Sequence, residues 1–80
     1  MMTEMISKAE VAKAIEYKMN ERERYLAITQ EAGMDRAEAR VLAQIDILCQ
    51  LAKELRMVGD MKTADGVTTW SIACTVEEVA

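Results

Sequence analysis

Eighty residues make one small domain, and a chain of this length buries only about 60% of its unfolded surface, so oligomerisation or a partner is the expected source of further buried area. There is no histidine, there are only two cysteines (Cys49 and Cys74), and no Asp/Gly-rich loop is present. That composition argues against zinc and calcium sites, His-dependent nucleophiles and a disulfide framework, and no cofactor or metal is expected.

The net charge is −4 and no segment is basic, which counts against nucleic acid as a partner. No run approaches the roughly 18 apolar residues of a membrane span. Met1-Met2-Thr3-Glu4-Met5 lacks the basic patch and apolar core of a signal peptide. The expectation is a cytoplasmic protein with no membrane segment.

The first helix is predicted over about residues 8–32. Ser7-Lys8-Ala9-Glu10 reads as a capping box, with Ile6 and Val11 placed for a hydrophobic staple, and Gly33 is a natural left-handed stop. Val11, Ile15, Met19, Arg22 and Leu26 fall within about 80° of one another around this helix. Arg22 lies near the middle of that stripe, where its stem can cross the edge of the core. The alternatives for Arg22 are a buried ion pair or an anion-binding position.

Asp35-Arg36-Ala37-Glu38 reads as a second capping box, so Gly33-Met34-Asp35 forms a connection short enough to force antiparallel helices. Met34 is expected to cover the apex near Ile28. The second helix is predicted over about residues 36–58, with Gly59 as its stop. Ala37, Val41, Ile45, Leu48, Ala52 and Leu55 form its main stripe, with Leu51 beside it. Leu42 and Cys49 spill onto one flank, Ile47 and Val58 onto the other. This apolar surface is wider than the ~100° that one partner helix covers.

Residues 61–76 change period. Asp65-Gly66 before a β-branched run signals a β-hairpin, read here as a three-residue loop with Gly66 left-handed. Trp70, Ile72, Cys74 and Val76 alternate with polar or small residues as one face of a strand, and Trp70 and Ile72 should pack onto the helices. Thr75-Val76-Glu77-Glu78 resembles a further capping box, but the sequence printed after it is too short for a helix, and 77–80 read as a tail.

No constellation for chemistry emerges. Glu16, Glu21 and Glu23 are the nearest approach to a carboxylate cluster, but Glu21 points away from the other two and there is no His partner. Glu21-Arg22-Glu23-Arg24 alternates in sign, as an exposed turn with local ion pairs does. Met1, Met2 and Met5 would meet Met57 and Met61 across an antiparallel hairpin, and methionine surfaces suit adaptable contacts. Tyr17 is an exposed aromatic on the outer face of the first helix.

The expected fold is therefore α+β, a long antiparallel two-helix hairpin followed by a small C-terminal β-hairpin, dimerising into a four-helix arrangement. The expected contact residues are Ile47, Leu51 and Val58, or alternatively Leu42 and Cys49, with Tyr17, Met57 and Met61 as further candidates. The function expected is that of a non-enzymatic protein–protein interaction module or regulator. The alternatives are a phage-type inhibitor that blocks a host enzyme or nuclease, and a DNA-binding regulator.

Overall fold

The computed structural model describes residues 6–74. It is an α+β fold with two packed helices, α1 (Lys8–Ala32) and α2 (Asp35–Glu54), followed by an antiparallel hairpin of β1 (Met57–Ala64) and β2 (Val67–Cys74). No helix among the described residues is long and apolar enough to cross a membrane.

The start of α1 forms as its sequence dictates. The Ser7 hydroxyl accepts from the Glu10 amide and the Glu10 carboxylate accepts from the Ser7 amide, both at 3.1 Å. Ile6, just before the cap, stays largely exposed. At the other end Gly33 takes φ 69°, and Met34 N–H and Gly33 N–H return to the carbonyls of Thr29 and Gln30, the double closure of a Schellman motif.

The second capping box does not form. Met34 is the N-cap and offers only its carbonyl, which accepts from the Glu38 amide, while the Glu38 carboxylate accepts from the Gln30 side chain at 3.2 Å. Met34 and Ile28 both remain exposed at the apex.

The end of α2 also departs from expectation. The helix stops at Glu54, and Arg56 turns the chain at φ 60°. Met57, Val58 and Gly59 therefore belong to β1 and not to a helix. Gly59 is not a helix stop. An added Cβ there would meet Ile72 Cδ1 at 3.1 Å, so glycine admits Ile72 into the core. The hairpin loop has two residues, not three. Ala64 pairs with Val67, and Asp65 (φ 54°) and Gly66 (φ 77°) are both left-handed, as a type I′ turn requires.

The core lies between the helices and the inner face of the hairpin. It comprises Ala12, Ile15 and Met19 of α1, Val41, Ile45 and Ala52 of α2, Met57 of β1 and Ile72 of β2. Trp70 and Cys74 pack half-buried against it. Met57 is 7% exposed, so it is a core residue and not part of a contact surface. Met1, Met2 and Met5, and the segment from Thr75 onward, lie outside the described residues.

The hairpin is fixed to α1 by polar bonds as well as by its apolar face. Glu16, Asn20 and Glu23 stand four and three residues apart, on the side of α1 next to β2. Asn20 Oδ1 accepts from Trp70 N–H at 2.8 Å, and Asn20 Nδ2 donates to the Trp70 carbonyl at 3.1 Å. Glu16 accepts from Ile72 N–H at 2.9 Å, and Glu23 accepts from the Trp70 indole N–H at 2.8 Å. With Ala64 opposite Val67, the main chains of Trp70 and Ile72 point away from β1, so α1 occupies the place of a third strand. Two of the three carboxylates considered as a cluster, Glu16 and Glu23, thus serve as acceptors for β2.

Candidate functional site

The hairpin covers one side of the helix pair. The other side keeps an open groove of about 360 Å³ between α1 and α2, lined by Lys18, Arg22, Gln44, Ile47 and Leu48. The apolar spill of α2 onto this flank is not sheltered by the described hairpin, residues 57–74. Ile47 is 63% exposed, and Leu51, one turn further along, is 45% exposed.

Arg22 organises the groove. Its Nη1 donates to Gln44 Oε1 at 2.8 Å and its Nη2 to Glu21 Oε1 at 3.2 Å, while the guanidinium stacks 4.7 Å from the centroid of the Tyr25 ring. Its Nε is buried with no hydrogen-bond partner. Arg22 therefore ties the two helices together through Gln44 while its charge stays at the groove. Lys18 adds a second cation and bonds Glu21 at 3.1 Å, which together with Arg22 holds the Glu21 carboxyl below its ordinary pKa. On α2, Arg40 precedes Gln44 and Ile47 on the same helical stripe, spaced four and three residues apart.

The expected contact residues divide by location. Ile47 lines the groove and Leu51 follows it along α2. Leu42 lies about 140° around α2 from Ile47, on the opposite flank, and is exposed there. Cys49 packs half-buried against the core; burial first, then the nearby Asp46, pushes its thiol pKa up. Tyr17 is exposed on the outer face of α1. Val58 and Met61 are exposed on β1, away from the helical groove.

Gln44 was not legible as a site residue. Its role depends on the register of α2 against α1, which pairs it with Arg22 across 22 residues of sequence. Among the described residues no group of three or more Cys, Asp or Glu side chains is placed to hold a metal ion. No family model, curated protein or solved structure matches this chain.

Proposed function

We propose that the chain is a small non-enzymatic protein-binding module whose α1/α2 groove seats an amphipathic segment of another protein. The observation that carries this reading is the exposure of Ile47 and Leu51 beside Lys18 and Arg22, after the hairpin has already docked on the other side of the helices. Apolar side chains clustered in a groove with a polar rim suit an amphipathic helix laid along it. Lys18 and Arg22 at the rim are paired with Glu21, so the charge there is mixed and the apolar side chains carry the recognition.

The test is affinity capture with the wild-type chain and with an Ile47→Glu/Leu51→Glu variant, followed by reconstitution with each purified candidate. Binding that the variant loses by tenfold or more, roughly the loss of one well-buried anchor, supports the reading. A purified partner bound equally by both proteins refutes it.

A further inference from the structure

We propose that two copies of this chain pair through the outer edge of β1, antiparallel and with Met61 opposite Met61 of the second copy. The two edges of the hairpin are treated differently by the fold. The outer edge of β2 is occupied by Glu16 and Asn20. On β1, the register turns the main-chain groups of Gly59, Met61 and Thr63 away from β2. All three residues are exposed, and among the described residues no side chain hydrogen-bonds their main chain.

An open edge alone names no occupant, but the charges on β1 do. Asp60 and Lys62 project from the outer face of the hairpin and sit opposite Ser71 and Thr69 within the chain, so neither meets a charge there. A two-fold axis at Met61 sets Asp60 of each copy opposite Lys62 of the other, giving two complementary pairs. A two-fold at Asp60 would oppose the two aspartates, and one at Lys62 the two lysines. Directly opposed charges favour or disfavour strand pairs according to sign, so this strand specifies one register for its own copy.

The same register opposes Gly59 and Thr63, whose main-chain groups would exchange hydrogen bonds. It also brings together the two Met61 side chains, each 56% exposed in the single chain. The resulting sheet runs β2–β1–β1–β2, and both of its outer edges are already blocked by α1. Pairing therefore closes at two copies and does not propagate, which is the condition that an open edge must meet.

The experiment is sedimentation equilibrium on the full chain, from micromolar to millimolar concentration, for wild type, Asp60→Lys, Lys62→Asp and the double reversal. The wild type is expected to dimerise. Each single reversal creates two like-charge pairs and should weaken the dimer by about tenfold. The double reversal restores opposite charges and should recover association. Far-ultraviolet circular dichroism confirms that the variants are folded. Independently of any variant, the amides of Gly59, Met61 and Thr63 should become protected from hydrogen exchange as wild-type concentration rises. The proposal is overturned by a monomeric wild type, by single reversals that associate normally, by a double reversal that does not recover, or by exchange at these amides that is independent of concentration.

Discussion

Asn20 and Trp70 form a closed ring of two hydrogen bonds, the amide side chain of Asn20 accepting from Trp70 N–H and donating to the Trp70 carbonyl, across 50 residues of sequence. Asparagine suits this position because its side chain carries both a donor and an acceptor, the same pair that a neighbouring strand presents. Replacing Asn20 with Leu should lower stability by about 1–3 kcal/mol, because two partly buried main-chain groups lose their partners. Urea unfolding monitored by Trp70 emission measures this, and an unchanged midpoint would show that the ring contributes nothing.

Gly59→Ala should destabilise the fold by about 1 kcal/mol or more, because the new methyl meets Ile72 Cδ1 at 3.1 Å and Ile72 is itself buried. Pairing the change with Ile72→Val, which removes that δ-carbon, should make the alanine better tolerated than it is in the wild type. A thermodynamic cycle over the four proteins gives the answer; simple additivity would mean that the contact is relieved elsewhere.

How much of this could be read beforehand depended on where each determinant lies. The limits of α1 were legible because Ser7, Glu10 and Gly33 act within one turn of their own positions. The Asp65-Gly66 turn was legible for the same reason, though its length was misread by one residue. The end of α2 was not. A non-glycine residue, Arg56, makes the left-handed turn, and Met57-Val58 continue a spacing that fits helix and strand alike. Glu16, Asn20 and Glu23 carried no signal of their role, since their partners are groups 47 to 56 residues away. The over-wide apolar surface of α2 was visible in the sequence, but which part the hairpin would cover was decided by tertiary packing.

Acid should weaken the Lys18–Glu21–Arg22 link beside the groove. Glu21 titrates below its ordinary value of 4.5, chiefly through its hydrogen bond with Lys18 and then through the Lys18 and Arg22 charges. A carboxylate with a lowered folded pKa contributes stability that is fully present above its unfolded pKa and is lost as pH falls through the folded value. The unfolding midpoint should therefore fall as the solution is acidified below about 4.5, and Glu21→Gln should flatten that part of the profile. An identical pH profile for the glutamine variant would remove Glu21 from the account.

Cys49 should be a poor nucleophile in the folded protein. Burial and Asp46 raise its thiol pKa, which lowers the thiolate fraction near neutral pH. Iodoacetamide labelling followed by peptide mass spectrometry should show slow modification of Cys49 in buffer and faster modification in denaturant. Equal rates in both would contradict the packing described around it.

The strand that α1 accommodates is also the last part of the described chain to be made. Without residues 57–74, Glu16, Asn20 and Glu23 would have no strand to bind, and Met57 and Ile72 would be missing from the cluster around Met19. The helical pair alone would therefore carry an apolar cleft where those two side chains now sit.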